Sequence, residues 1–165
     1  CPFHTPAING AFDIVVAGSV ASTLAATAPA LTSASALIKA GGAIVLAAPC
    51  RDGLGDEDFR LTLAEASTID GVWNRLIAPD FQRDGQWFAL HLFAARRRAG
   101  TVHLQSELPN DELHAAHLAP TKSIGTTLGE LAMSHQFLHG EAPSIAVLPD
   151  GASIIPPPTG TSGPN

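Results

Sequence analysis

The chain has 165 residues, room for one domain of about 100–200 residues, and its 45% hydrophobic and 15% charged content excludes disorder over most of the length. A formal net charge of -6 disfavours nucleic acid, and no apolar stretch approaches the roughly 20 residues that span a bilayer, so we expect neither nucleic acid nor membrane as partner. Two cysteines, Cys1 and Cys50, are too few for a disulfide framework, which favours a reducing, cytoplasmic location.

The first elements are a strand and a long helix. The nearly continuous apolar run of residues 12–18 predicts a buried strand that ends in Gly18. Residues 20–39 carry no charge before Lys39 and precede Gly41 and Gly42, so we predict a helix there, with Pro29 kinking it or starting a second half. A helix without a charged face needs cover on two sides, and another domain is one candidate for the second side.

Strands and helices alternate through the rest of the chain. We predict strands at residues 43–48, 101–105 and 144–148, and helices at about 56–67, 86–98, 109–117 and 126–139. This alternation predicts an α/β fold, a Rossmann-like three-layer sandwich with a mainly parallel sheet. Residues 12–155 form the predicted domain, residues 1–11 lead into it, and residues 156–165 form a flexible tail rich in Pro and Gly.

The first candidate site is Gly18 with Ser19. Ligands of open parallel sheets bind outside the carboxyl ends of the strands, and backbone amides at the start of the following helix could hold an anionic cofactor. The segment lacks the further glycines of a dinucleotide fingerprint, so a turn without a ligand is the competing interpretation.

The second candidate site is the loop of residues 50–55. Arg51 offers planar donors to a carboxylate or phosphate, Asp52 could orient that guanidinium, and two glycines allow close backbone approach. The alternative, which the residues leave open, is an Arg51–Asp52 pair that only fastens the loop.

Three other features carry weaker signals. Histidines 114 and 117, and 135 and 139, have helical spacing, but neither pair has a further ligand at a familiar zinc spacing, so solvated histidines are favoured. Cys1 could be an N-terminal nucleophile, although no base is singled out and a trimmed terminus explains it as well. Trp73 and Trp87 are more typical of cores or interfaces than of cofactor platforms.

Several segments, in order, resemble the C-terminal domain of nickel-dependent lactate racemases. They cover most of residues 12–156, and the Gly-Gly segment followed by the Arg-Asp-Gly-x-Gly loop is the most specific part. The matching segments are residues 13–18, 38–45, 50–55, 86–87 and 145–151.

The resemblance implies a two-domain enzyme that interconverts stereoisomers of a 2-hydroxy acid. Its cofactor would be a nickel-pincer nucleotide, tethered through a lysine, whose metal accepts a hydride from the substrate carbon and returns it to either face. The histidines that hold nickel belong, by this resemblance, to an N-terminal domain that this chain lacks. The C-terminal domain would close the cleft and contact substrate and cofactor, and Trp87 corresponds to a tryptophan of the family.

The chain departs from the family pattern at two positions. The family helix after the first strand carries a Gln and a Lys that face the site, and these positions fall near Ala26 and Pro29, whose side chains cannot donate a hydrogen bond. The leading hypothesis is therefore a racemase-like enzyme domain that is inactive without its N-terminal partner. A non-catalytic binding or interaction module of the same fold is the alternative, and a stand-alone nucleotide-binding protein is a third.

Overall fold

The computed structural model describes residues 12–64, 67–81 and 86–151, with the backbone alone at Gln86 and Trp87. The lead-in predicted for residues 1–11 and the tail predicted for residues 156–165 lie outside this part. The strands are β1 (Phe12–Gly18), β2 (Ile38–Ala47), β3 (Thr101–Gln105), β4 (Ala119–Pro120) and β5 (Ile145–Leu148). The α-helices are α1 (Ala28–Leu37), α2 (Glu57–Leu63), α3 (Ile69–Leu76), α4 (Gln86–Arg98), α5 (Asn110–Ala115) and α6 (Ile124–His139).

The strands form one sheet in the order β4-β3-β2-β1-β5, and every neighbouring pair is parallel. All carboxyl ends therefore lie along one edge. The chain winds from β1 toward β4 in one direction and then returns to place β5 on the other side of β1. The topological switch point thus lies between β1 and β5.

The sheet is buried on both faces. Val15 and Ala17 of β1 belong to the larger core, which α1 and α4 share. Ile14 and Val16 belong to a smaller core, where Leu128 and other residues of α6 cover the sheet. The prediction of a three-layer α/β sandwich with a parallel sheet is therefore confirmed. No helix in the described ranges is long and apolar enough to cross a bilayer.

The helix predicted over residues 20–39 is wrong at both ends. A 3-10 turn at Ala25–Thr27 leads into α1, which has Pro29 in its first turn, where its missing N–H costs no helical hydrogen bond. Residues 19–24 form a loop, because their backbone bonds to the neighbouring loop after β2 instead of to a helical turn.

The glycines 41 and 42 do not stop a helix but lie inside β2. Phe12 pairs with Ile38, and Ile14 pairs with Ala43. Between these two pairs β2 has more residues than β1, so β2 forms a bulge there. Gly41 has a φ of +80°, and a Cβ at Gly42 would meet the Asp13 carbonyl oxygen at 2.6 Å. This bulge therefore needs glycine at both positions.

The cover that α1 needs comes from its own chain. Ala30, Leu31 and Ala34 are at most 1% exposed between the sheet and α4. Thr32 Oγ1 also lies 3.0 Å from His91 Nδ1 of α4. The inference that another domain is the candidate cover for this flank is wrong, because α4 folds back over it.

Smaller differences concern the middle of the chain. The sequence reading left out α3 and the two-residue strand β4, and α2 ends at Leu63 instead of near Ser67. Thr68 begins α3 by accepting a hydrogen bond from the Gly71 amide at 3.1 Å. The Thr68 side chain is thus the N-cap of a short helix for which no element was predicted.

Candidate functional site

Two loops at the carboxyl ends of β1 and β2 are joined by backbone hydrogen bonds. The Cys50 amide donates to the Ala21 carbonyl at 3.2 Å, and the Asp52 amide donates to the Ser22 carbonyl at 2.8 Å. The Leu24 and Ala25 amides donate back, to the carbonyls of residues 53 and 54, at 3.1 and 2.9 Å. We call residues 19–24, 48–55 and 106–108 the rim. These bonds hold its first two loops in one arrangement.

A tight turn shapes the second loop of the rim. The Gly53 amide donates to the Cys50 carbonyl at 3.2 Å, with positive φ values at both Cys50 (47°) and Gly53 (90°). Burial raises the pKa of the Cys50 thiol to about 11, and its side chain is 1% exposed. Cys50 is therefore a neutral core residue at pH 7 and not a nucleophile.

Arg51 at the tip of this turn pairs with Glu107, which follows β3. Its Nε donates to the Glu107 carboxylate at 2.8 Å, while 72% of the arginine side chain stays exposed. The hydrogen bond and charge of Glu107 raise the pKa of Arg51, so it is a permanent cation. The expectation that Asp52 orients Arg51 is corrected, because the carboxylate that bonds to the guanidinium is that of Glu107.

A shallow pocket of about 340 Å³ opens beside this ion pair. It is lined by Ala47, Ala48, Pro49, Gln105, Ser106 and Glu107. Gln105 Nε2 donates to the Lys122 carbonyl at 3.4 Å, which ties the pocket to the segment after β4. Its volume lies at the low end of the range of about 300–1,000 Å³ typical of small-molecule sites.

Glu107 is the member of this site that sequence reasoning missed. Glu107 lies two residues after a predicted strand. This position could have identified it as a candidate, because side chains just beyond the carboxyl ends of parallel strands meet at one edge of the sheet.

Gly18 and Ser19 lie at the switch point, but no helix starts there. The Ser19 amide already donates to the Ala47 carbonyl at 2.9 Å, and a Cβ at Gly18 would lie 2.3 Å from the Pro149 carbonyl oxygen. Residues 149–151 therefore fold over the end of β1. Cofactor binding by Gly18 and Ser19 stays a prediction, without the support of a helix N-terminus.

The two positions that depart from the family pattern are exposed beside the rim. Ala26 lies in the 3-10 turn and Pro29 in the first turn of α1, and both side chains face solvent. Their surfaces are apolar, so this part of the edge offers no side-chain donor.

The structure describes the side chain of Trp73 but not that of Trp87. Trp73 is half-buried against the larger core, with the Arg97 guanidinium 5.0 Å from its ring centroid, which fits the structural interpretation. Trp87 lies in the first turn of α4, where the structure describes its backbone alone, so its predicted substrate contact stays a prediction.

The histidine pairs are arranged differently from each other. His117 follows the end of α5 with a φ of 59° and sets its ring edge-on to Phe93, so it does not share a helix face with His114. The rings of His135 and His139 lie on α6 with centroids 4.4 Å apart. Within the described ranges, no group of three or more His, Cys, Asp or Glu side chains could hold a metal ion, so these residues do not fit a nickel site.

His103 was not singled out from the sequence. Its Nε2 atom is buried without a hydrogen-bond partner among the described residues. Burial lowers the pKa of His103, and the positive charge of Arg96 lowers it further. The negative charge of Glu130 on α6 raises this pKa, but by less than the other two effects lower it. The imidazole is therefore neutral at pH 7 and packs as part of the layer between β3 and α6.

Comparisons with known proteins agree with this geometry. The family described as lactate racemase C-terminal domain matches residues 22–156. A lactate racemase from Thermoanaerobacterium thermosaccharolyticum is 26% identical over 127 residues, which are 76% of this chain and 29% of that protein. The structure of the lactate racemase apoprotein from that organism has the same fold, with a TM-score of 0.77 at 24% identity over 88% of this chain and 35% of that chain. The chain spans about a third of the length of these relatives.

Proposed function

Since the chain belongs to the lactate racemase C-terminal domain family, we propose that it is the C-terminal domain of a racemase or epimerase of 2-hydroxy acids. In this proposal the enzyme depends on a nickel-pincer nucleotide, and the domain closes the cleft over cofactor and substrate. The described residues do not fit a nickel site, so the nickel would be held by an N-terminal domain. A cytoplasmic location is part of the proposal and rests on composition alone.

The observation that carries the proposal is the exposed Arg51 beside the pocket at the carboxyl edge. A guanidinium that is 72% exposed can bind a substrate carboxylate with its planar donors while Glu107 fixes its position. Asp52 and Trp87 would complete the substrate side, and Gly18 and Ser19 would contact the cofactor. These four assignments follow from the position of the residues along the sequence and from the resemblance.

The test is an Arg51→Met substitution in the full-length, cofactor-loaded parent protein. A charge-assisted pair with a carboxylate contributes about 1.5–3 kcal/mol, so KM for the hydroxy acid should rise about 10- to 100-fold while kcat changes little. Steady-state kinetics with both stereoisomers would measure this.

The matched control is Arg60→Met. Arg60 forms a similarly exposed ion pair, 3.0 Å from Glu57 on α2, and does not line the pocket that Glu107 lines. The Arg60→Met substitution should leave KM for the hydroxy acid unchanged. An Arg51→Met enzyme whose KM is also unchanged would contradict the role of Arg51.

A second candidate function is a non-catalytic binding module. It is favoured by Ala26 and Pro29, which expose apolar surface where the family has polar side chains facing the site. Such a module would bind a small carboxylate in calorimetry, weakened by Arg51→Met, while the full-length protein exchanged no stereochemistry. Paired histidines encoded upstream of Cys1 would favour the enzyme instead.

A further inference from the structure

The pocket that Glu107 lines, which we call the rim pocket, has two kinds of lining residue. Residues 47–49, at the end of β2, contribute apolar side chains, whereas residues 105–107, at the end of β3, contribute an amide, a hydroxyl and a carboxylate. A group the size of a water molecule takes up about 30 Å³, so the volume of about 340 Å³ has room for about ten of them. The methyl substituent of lactate would fill only about a tenth of this space.

Backbone hydrogen bonds join the two sides of the rim pocket. The Ala48 amide donates to the Gln105 carbonyl, and the Glu107 amide donates to the Pro49 carbonyl, each at 3.0 Å. These two amides are therefore not free to bind a ligand. The polar recognition of a ligand in the pocket then depends largely on the side chains.

Two of these side chains keep unused hydrogen-bonding capacity. Gln105 donates through Nε2 to the Lys122 carbonyl, and its Oε1 atom has no partner among the described residues. Ser106 Oγ accepts from the Leu108 amide at 3.3 Å, which leaves its O–H free to donate. A ligand hydroxyl both donates and accepts, so it matches this pair. A methyl group would displace water from both without replacing the lost hydrogen bonds.

Glu107 determines what each end of a ligand meets. Its Oε1 atom accepts from Arg51 Nε at 2.8 Å, while its side chain also lines the rim pocket. A carboxylate bound to the guanidinium therefore lies beside the pocket, and the substituent of the acid is the part that can enter. The negative charge of Glu107 repels a second carboxylate there. No Lys, Arg or His is among the described residues that line the pocket, so no lining cation offsets this charge.

We infer that the rim pocket selects 2-hydroxy acids whose substituent carries hydroxyl groups, in preference to lactate and to dicarboxylic acids. This inference rests on the proposed function, because it takes the ligand to be a 2-hydroxy acid whose carboxylate binds Arg51. The substituent hydroxyls accept from Ser106 and donate to Gln105 and Glu107. These three residues thus determine specificity for the substituent.

The experiment compares acids that share the 2-hydroxy carboxylate and differ in the substituent. Lactate carries a methyl group, glycerate one hydroxyl, threonate and erythronate two hydroxyls, and malate a second carboxylate. Calorimetric titration of the full-length, cofactor-loaded parent protein gives the Kd of each acid, supplied as an equal mixture of the two configurations at the hydroxy carbon.

The Kd should fall as hydroxyls are added to the substituent. One hydrogen bond corresponds to about a 2- to 10-fold change in affinity, so glycerate should bind about threefold and threonate or erythronate at least about tenfold more tightly than lactate. Malate should bind more weakly than lactate. Equal Kd values across the series, or tightest binding of lactate or malate, would overturn the inference.

A pair of serine variants localises the preference. Ser106→Ala removes the donor from the pocket, so the ratio of the lactate Kd to the threonate Kd should fall at least about threefold. Ser134→Ala is the matched control, because Ser134 lies on α6 and lines a separate cavity at the amino ends of β1 and β3. It should leave the ratio unchanged, and equal ratios in the two variants would contradict the inference. If Ser106→Ala does not fold, the series with the unmodified parent still decides.

Glu107→Gln tests the exclusion of a second carboxylate. The substitution keeps the size of the side chain and removes its charge, so the ratio of the malate Kd to the lactate Kd should fall at least about threefold. Because both acids bind Arg51 through a carboxylate, this ratio cancels any change at that contact. An unchanged ratio would contradict the role of Glu107 in specificity.

Turnover separates this inference from the proposed function. Exchange of stereochemistry without tighter binding of the hydroxylated acids would overturn the inference and leave the proposed function intact. Tighter binding of the hydroxylated acids without exchange of any acid would support the specificity of the rim pocket and count against the enzyme.

Discussion

The carboxylate of Asp13 joins the first strand to the last. It accepts hydrogen bonds from the Ser144 amide at 2.8 Å and from Lys39 Nζ at 2.9 Å. Burial raises the pKa of Asp13, but the hydrogen bonds from Ser144 and Lys39 outweigh burial and hold that pKa well below its ordinary value of 3.8. A group whose pKa is lower in the folded state stabilises the fold above its unfolded pKa, and loses that effect as the pH falls.

Asp13→Asn should therefore lower the free energy of unfolding at pH 7 by about 1.5–3 kcal/mol, the range for hydrogen bonds to charged groups. The difference between wild type and variant should shrink as the pH falls from 5 toward 2, because Asp13 then takes up a proton in the unfolded state before it does so in the folded state, which favours unfolding of the wild type. Urea unfolding across this pH range measures it. Asp70→Asn, at an exposed carboxylate paired with Arg97, serves as control, and an equal loss there would contradict the role of Asp13.

Gly18 has a steric role at the end of β1. A Cβ at this position would lie 2.3 Å from the Pro149 carbonyl oxygen, and backbone cannot move away as a side chain can. We expect Gly18→Ala to destabilise the chain by about 1–3 kcal/mol, the usual cost of overpacking.

Gly129→Ala provides the matched control for Gly18→Ala. It adds the same methyl group in open space within α6 and should stabilise the chain by about 1 kcal/mol through helix propensity. Denaturant midpoints of both variants test the contrast, and equal effects would exclude close approach as the reason for Gly18.

Among the elements, strands were easier to predict from sequence than the helix after β1. Residues 12–18 and 101–105 are apolar or β-branched runs whose bounds the structure reproduces. Residues 19–24 contain the same small residue types as α1, so nothing local marks the start of the helix. Their backbone pairs with residues 50–54, a long-range contact that no periodicity contains. Gly41 was mistaken for a stop signal because glycine serves bulges and helix ends alike.

The predicted start of α2 near residue 56 is confirmed, and three acidic residues, Asp56, Glu57 and Asp58, lie there. Asp56 accepts a hydrogen bond from the Phe59 amide at 2.7 Å, as an N-cap residue does. Asp56→Ala should lower the free energy of unfolding by about 1 kcal/mol, against about 0.3 kcal/mol for Asp58→Ala, which removes a first-turn charge but no cap. Thermal unfolding compares them, and equal losses would show that only the charge matters.

At the scale of the whole molecule, the sequence predicted the sandwich but misplaced its open surface. The charge-free α1 suggested an uncovered flank, yet α4 covers it, while the exposed apolar side chains lie on α6 and β5. The composition of an element shows how apolar it is. It does not show which neighbouring element covers it, because that depends on tertiary packing. The rim shows the same dependence on tertiary packing. Arg51 was predicted as a site residue from the residues of its own loop, whereas its partner Glu107 lies 56 residues away in the sequence and was not predicted.

The most direct test of the account is stereoisomer exchange by the full-length parent protein loaded with its cofactor. Chiral chromatography would follow single stereoisomers of lactate and of other 2-hydroxy acids. If the chain is the closing domain of a racemase-like enzyme, at least one acid should be converted until the two configurations reach equilibrium. A loaded, folded parent that binds such acids and converts none would contradict the account and leave a binding module.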